Sequence, residues 1–422
     1  MVISQDILVR RTMLFCAMLL SGGNALFPRE PLVVFVILMG GLFYGALGGR
    51  LHRDKTLAYL WLGFLVMMAL AGVHRSGMAA NLVRAINFFA GLVLLRLYWG
   101  AGRQHFIGDL RALLWPMAHQ AWATVVLALL VPGLFFHVQY GGIQFQSFFG
   151  VLSYHVTVEG ASRLVRPNGF FFEPGVFQFY LNLLLFVLFI QNAPWRKRFL
   201  AIGAVFLTQS TTGIAIAALQ LAYFSIVPML RSGVTRRGII SLAVIALLVP
   251  PVFMLAKSNI ESKLTGSLAG SATARAYDLQ AGLQVITDHP LVGIGFDHNV
   301  YLRETMRSGL GMSMLSEINQ DGRATSNGLM MALYSVGIPL GLIYLLAFFF
   351  QKLLPHRLLL GVIVMLSLST EALPFTPFFV LFAFSGLSLA GAARKRRGRP
   401  SQSPPAQPQV AAVPTPSGLS GS

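Results

Sequence analysis

Three short segments hold most of the residues in this sequence that can do chemistry. The first, Arg166-Pro167-Asn168-Gly169-Phe170-Phe171-Phe172-Glu173-Pro174-Gly175, sets a guanidinium and a carboxylate a few residues apart. Asn168-Gly169 is a turn signal. Glu173 followed by Pro174 reads as the N-cap and first position of a helix, which accounts for that pair without any chemistry. Helix initiation does not account for Arg166, whose guanidinium can pair with Glu173 or bind a phosphate. The second segment runs from Ser271-Ala272-Thr273-Ala274-Arg275 to His289-Pro290-Leu291-Val292-Gly293-Ile294-Gly295-Phe296-Asp297-His298. Gly293 and Gly295 imply a tight backbone path. They are not a dinucleotide fingerprint, because the third glycine and the surrounding βαβ unit are missing. Taken singly, Arg275 reads as a solvated loop charge and His298 as a surface histidine. The third segment is Arg323-Ala324-Thr325-Ser326-Asn327-Gly328, in which Ser326 or Asn327 is a natural helix N-cap. Gly337 and Gly341 follow at the spacing of a small-xxx-small helix contact.

The elements that must position these residues are apolar helices. Of the 422 residues, 55% are hydrophobic and only 11% charged, against about 25% charged in soluble domains. A bilayer tolerates such a composition. Runs long enough to span one lie near 12–27, 31–49, 56–73, 79–99, 113–136, 174–192, 198–209, 212–230, 238–255, 327–350, 356–370 and 373–391. The fold class expected is therefore an all-α polytopic membrane protein with about twelve spans. The pair at 198–230 has one alternative reading, a single long helix broken at Gln209–Gly213.

The formal net charge of +18 invites a nucleic-acid reading, but the charge is not spread evenly. Arg50, Arg53 and Lys55, then Arg103 and Arg111, Arg196 to Arg198, Arg231 to Arg237, Lys352 and Arg357, and Arg394 to Arg399 all fall in alternate loops. That is the positive-inside pattern, so no nucleic-acid partner is expected. It puts both termini in the cytoplasm and the long loops 137–173 and 256–326 outside. Within the second loop, Ala274–Thr287 carries Leu279, Leu283 and Ile286 at the spacing of an amphipathic helix. Residues 1–393 thus form one transmembrane domain. A basic stretch and a Pro/Ser-rich, disordered cytoplasmic tail occupy 394–422. The single cysteine, Cys16, offers no disulfide or thiolate pair, and the scattered Asp288, Asp297 and Asp321 offer no metal site.

The order of the three segments, their outer location and the twelve-span frame resemble the O-antigen polymerase and ligase superfamily of bacterial membrane glycosyltransferases. The resemblance rests on Arg166…Gly169…Glu173-Pro174, on Ser271-x-x-x-Arg275 followed by His289-Pro290-Leu291-x-Gly293-x-Gly295, and on Asn327 opening the helix of Gly337-Ile338-x-x-Gly341. It covers about 150–345 by motif and the rest by topology. Two positions depart from it. Ligases typically carry a His in a His-x10-Gly relation to the helix glycine, and Ser326 stands there; His298 has that relation only to Gly309. An Arg often follows a Thr-x-Ser turn, and here Thr208-Gln209-Ser210 is followed by Thr211. Both departures favour polymerase over ligase.

The resemblance implies a GT-C-like fold in the bacterial inner membrane, no cofactor, and a donor glycan on a polyprenyl diphosphate. Arg166, Arg275 and Arg323 are then the expected diphosphate ligands, joined by Arg303 and Arg307, with Asn327 at the substrate. Glu173 is the first candidate to take the proton of the attacking hydroxyl, His298 the second and Glu371 the third. Expected partners are the lipid-linked oligosaccharide, membrane lipids, and chain-length regulator and flippase proteins. The rival outside this chemistry is a lipid-oligosaccharide transporter, which should show buried mid-span charges and related halves; here mid-span charges are nearly absent and the halves show no convincing similarity.

Overall fold

The computed structural model describes residues 5–22, 77–140, 143–155, 165–232, 269–307 and 326–388, with a few isolated positions between 35 and 66. The expected spans at 31–49, 56–73 and 238–255, the tail after 388, and Arg323 lie outside the described residues. The described chain is mostly helical. Among the described residues, three helices are long and apolar enough to cross a membrane: Ala79–Ala101, Arg103–Leu130 and Thr211–Leu230. Several helices turn large apolar side chains outward, among them Leu82, Phe89, Val126, Leu129, Leu342, Ile343 and Leu358. Lipid tolerates such a surface where water penalises it.

The core is built around α4 (Pro174–Ile190), in which every residue but Gly175 and Ile190 is buried. Against it lie α1 (Gln5–Gly22), α3 (Arg103–Leu130), α5 (Trp195–Leu207) and α6 (Thr211–Ser232). A buried amide chain ties α4 to α6. Asn182 donates to Gln178 Oε1 (2.9 Å) and to the Gly213 carbonyl (3.0 Å), and Gln220 donates to Asn182 Oδ1 (3.1 Å). Such amides find no water in an apolar interior, so they bond across helices. A second layer pairs α2 (Met78–Ala101) with α12 (Pro377–Leu387), where Gly91 lets Val380 approach α2 closely.

The region 198–230 is two helices, α5 and α6, separated at Thr208–Ser210, with Gln209 at φ +51°. Three expectations need correction. The first is the all-α fold class: 137–173 is not an irregular loop. It holds a four-stranded antiparallel sheet, β1 (Phe136–Tyr140), β2 (Ile143–Phe148), β3 (Leu152–His155) and β4 (Arg166–Pro167), in sequential order. The second is the loop expected at Arg103 and Arg111. Phe106, Ile107, Leu110 and Leu114 form one buried helical face, so α3 begins at Arg103 and only Gly102, at φ +95°, separates it from α2.

The third concerns 327–350, which breaks at Gly337 into α9 (Gly328–Val336) and α10 (Ile338–Ala347). Gly293-Ile294-Gly295 runs along that break. Ile294 N donates to the Tyr334 carbonyl (2.8 Å), Gly295 N to Ser335 (3.0 Å), and Ile338 N to Pro290 (2.7 Å). Gly293 sits at φ +73° and Gly337 at φ +81°, and a Cβ on Gly337 would stand 2.2 Å from the Leu291 carbonyl oxygen. The two glycines therefore serve backbone-to-backbone approach rather than a contact between continuous helices. Gly337→Ala combines positive-φ strain, about 1–3 kcal/mol, with a clash against backbone. It is expected to lower the thermal midpoint of the purified protein by several degrees or to prevent its recovery. An unchanged midpoint would count against this account of the break.

Candidate functional site

Four side chains from four elements meet beside the N-terminus of α4. Arg166 comes from β4, Glu173 from the residue before α4, and Arg275 from α7 (Ala269–Asp288). Glu371 comes from the turn between α11 (Arg357–Leu368) and α12. Glu371 is only 5% exposed and is hydrogen-bonded to Glu173. Its carboxyl is pushed well above the usual carboxylate range, first by burial, then by the Glu173 charge and that hydrogen bond. Arg275 and Arg166 act the other way. The Arg166 guanidinium responds to the same set: burial and Arg275 lower its proton affinity, while Glu173 and Glu371 raise it. Two cations and a carboxyl pair thus share one electrostatic site.

Local backbone explains how they converge. The Asn168-Gly169 turn is closed by Phe171 N donating to the Asn168 carbonyl (3.0 Å), with Gly169 at φ +60°. Glu173 is the N-cap of α4 by backbone and Pro174 its first residue, but the Glu173 side chain makes no capping bond. Helix initiation accounts for where Glu173 sits, not for where its carboxylate goes. Gly175 makes room for Glu371, because a Cβ there would lie 1.7 Å from Glu371 Oε1. On the other side, Gly328 packs against the Glu371 carbonyl, where its Cβ would stand 2.4 Å away.

Two members escaped sequence reasoning. His155 sits opposite Arg166 in the β3–β4 register and its Nε2 donates to the Phe172 carbonyl (2.6 Å). Burial is the main cause that lowers its proton affinity. Arg166 adds to that, and the Phe172 bond and Glu173 oppose it. The other is Thr208, marked in the sequence only as the start of a Thr-x-Ser turn, whose carbonyl accepts from Arg166 Nε (3.3 Å). A guanidinium therefore does reach the Thr208-Gln209-Ser210 turn, from β4 instead of from the residue after Ser210. Only the strand register could have revealed His155, and the strands were read as loop.

The remaining candidates lie around this cluster. Asn327 caps α9, its Oδ1 accepting from Leu329 N and Met330 N, both at 3.1 Å. Asp278 of α7 accepts from Ser326 N (2.8 Å), which holds α7 against the start of α9. His298 opens α8 (His298–Arg307), next to Asp297, which accepts from Gly77 N (2.8 Å). Arg303 and Arg307 are exposed on α8. In α7 the buried face is Tyr277, Ala281, Val285 and Ile286, so the expected apolar face is only partly right: Leu279 and Leu283 point outward. Among the described residues, no group of three His, Cys, Asp or Glu could hold a metal ion. A cleft of about 300 Å³ lies between the sheet and the 168–172 turn, walled by Phe136, Phe145, Phe149 and Phe171.

The basic residues at the other end of α4 form a separate set. Arg10 and Arg11 both pair with Asp109, at 3.0 and 2.9 Å, and Arg111 donates to Gln191 just beyond α4 (3.0 Å). The seventeen residues of α4 put about 25 Å between the two sets.

A mostly helical, strongly apolar protein with guanidinium and carboxyl groups gathered beside one helix N-terminus is the class that fold and site define. A family model described as O-antigen ligase matches residues 198–345, and this match supports the O-antigen ligase and polymerase superfamily. The match contains Arg275, His298 and Asn327 and stops short of Glu371, while Arg166 and Glu173 precede it. No curated protein and no solved structure matches the chain.

Proposed function

We propose that this protein polymerises polyprenyl-diphosphate-linked oligosaccharide repeat units for O-antigen or exopolysaccharide, at the outer face of the bacterial cytoplasmic membrane, within a GT-C-like frame of about twelve spans. The reading is carried by the meeting of Arg166 and Arg275 with the Glu173–Glu371 pair, joined to a chain segment of the matching superfamily. Outside the cytoplasm there is no nucleotide sugar, so the donor arrives activated by its diphosphate. The acceptor hydroxyl oxygen bonds to the anomeric carbon, and the carbon–oxygen bond to the diphosphate breaks. Glu173 takes the hydroxyl proton, and the polyprenyl diphosphate departs as an anion. Arg166 and Arg275 hold that anion and stabilise its growing charge. Arg323, Arg303, Arg307 and Asn327 are further ligands for the diphosphate or the glycan, and His298 is a reserve base. Glu371, kept protonated by burial, donates to Glu173, which serves as the base. The aromatic cleft beside the turn suits isoprene units of the carrier.

A ligase that moves finished glycan to lipid A-core or to protein is the second reading. The description of the matching family favours it, while Ser326 in place of the ligase histidine speaks for polymerisation. Reconstitution of the purified protein with a lipid-diphosphate oligosaccharide separates them. Longer lipid-linked chains are the expected product. Transfer only to a different acceptor would give the ligase, and movement across the bilayer without new bonds would give a transporter.

A further inference from the structure

Far from the carboxyl pair, a cleft of about 610 Å³ opens between the start of α3, the end of α4 and the start of α5. Arg11, Arg111 and Lys197 line it. The nearby carboxylate, Asp109, is 2% exposed and already engaged by Arg10 and Arg11. Arg111 is bonded only to the neutral amide of Gln191 (3.0 Å), and Lys197 Nζ stands 5.7 Å from the Trp115 ring. Among the described residues neither Arg111 nor Lys197 has a carboxylate partner. The cleft therefore keeps at least two surplus positive charges. Trp115, Pro116, Leu188 and Ala193 give it an apolar side, and Gln191 and Asn192 a neutral polar one.

Surplus cations beside an apolar wall match a ligand with a charged phosphate and a hydrocarbon body. We propose that this cleft binds the phosphodiester headgroup of an anionic phospholipid, with Arg111 and Lys197 on the phosphate and Trp115 and Leu188 against the glycerol and first acyl carbons. Basic pockets between helices on the cytoplasmic side bind such headgroups, and tryptophan favours the same depth. The inference rests on the helices spanning a bilayer, not on the reaction proposed above. Free phosphate shares the headgroup chemistry but would leave the apolar wall unused.

Native mass spectrometry of the full-length protein in mild detergent tests this, with phosphatidylglycerol, phosphatidylcholine and inorganic phosphate as probes. Phosphatidylglycerol is expected to bind more tightly than phosphatidylcholine. The chain carrying Arg111→Gln and Lys197→Gln should bind it about thirtyfold more weakly, at about 1 kcal/mol per cation, with phosphatidylcholine, whose choline cation offsets the phosphate, affected much less. Should the double variant not fold, Lys197→Gln alone, at an exposed side chain, should weaken binding about fivefold. Equal binding of the two lipids, or variants that bind phosphatidylglycerol like the wild type, would overturn the proposal. Inorganic phosphate binding as tightly as the lipid would overturn it in favour of a soluble anion.

Discussion

Arg166→Ala or Arg275→Ala is expected to lower the rate of chain extension by about a hundredfold or more, the usual loss when one donor to a developing anion is removed. The reason is geometric and electrostatic. Arg166 is half-buried and anchored by the Thr208 carbonyl (3.3 Å), so its guanidinium is pre-oriented and needs no reorganisation as charge grows on the diphosphate. Arg275 is exposed on α7, yet close enough to act on both Arg166 and Glu371. Lysine at Arg166 should recover little, because one ammonium cannot hold Thr208 and a phosphate in the same fork. Initial rates with a reconstituted lipid-diphosphate donor give the check, alongside melting curves to confirm folding. Normal rates in both alanine variants would remove the phosphate role.

The second large effect separates the two carboxyls. Glu173→Gln should cut turnover by roughly 10²–10⁴, the usual worth of a positioned base. Glu371→Gln should cost far less, since a glutamine still donates to Glu173. The pH dependence gives an independent sign. Burial and Glu173 raise the Glu371 carboxyl well above its ordinary value of 4.5. The folded chain then keeps a proton that the unfolded chain releases above that value, so stability falls as pH rises toward ionisation of Glu371. Glu371→Gln removes this loss. Its thermal midpoint should exceed that of the wild type increasingly as pH rises from 5 upward, and the alkaline fall in activity should flatten. A wild-type midpoint that climbs with pH relative to the glutamine variant would contradict the assignment.

Several residues that come together at the candidate site were legible because they sit in short, polar segments of an apolar chain. Arg166 and Glu173 could be singled out because helix initiation at Pro174 left the arginine unexplained, and the Glu173 side chain proves not to cap the helix. The glycines at 293 and 295 announced a tight path, and the backbone there does press against α9 and α10. What stayed hidden depends on distance in the fold rather than in the sequence. Glu371 ranked third as a base because nothing near it in the chain marks it; its partner lies about 200 residues earlier. His155 faces Arg166 only through the strand register. The hairpin was missed although Tyr140 and Ile143 flank Gly141-Gly142, a two-residue turn signature. The α3 start was missed because Arg103 and Arg111 were read as loop charges, while the apolar face between them was not weighed.

The central claim is that the two guanidinium groups hold a phosphorylated lipid carrier beside the carboxyl pair. Equilibrium binding of a polyprenyl diphosphate to the full-length protein tests it most directly, with the phosphate-free polyprenol as reference. The account predicts that a chain carrying Arg166→Ala and Arg275→Ala binds the diphosphate at least tenfold more weakly and the polyprenol unchanged. Equal affinity of that chain and the wild type for the diphosphate would contradict it.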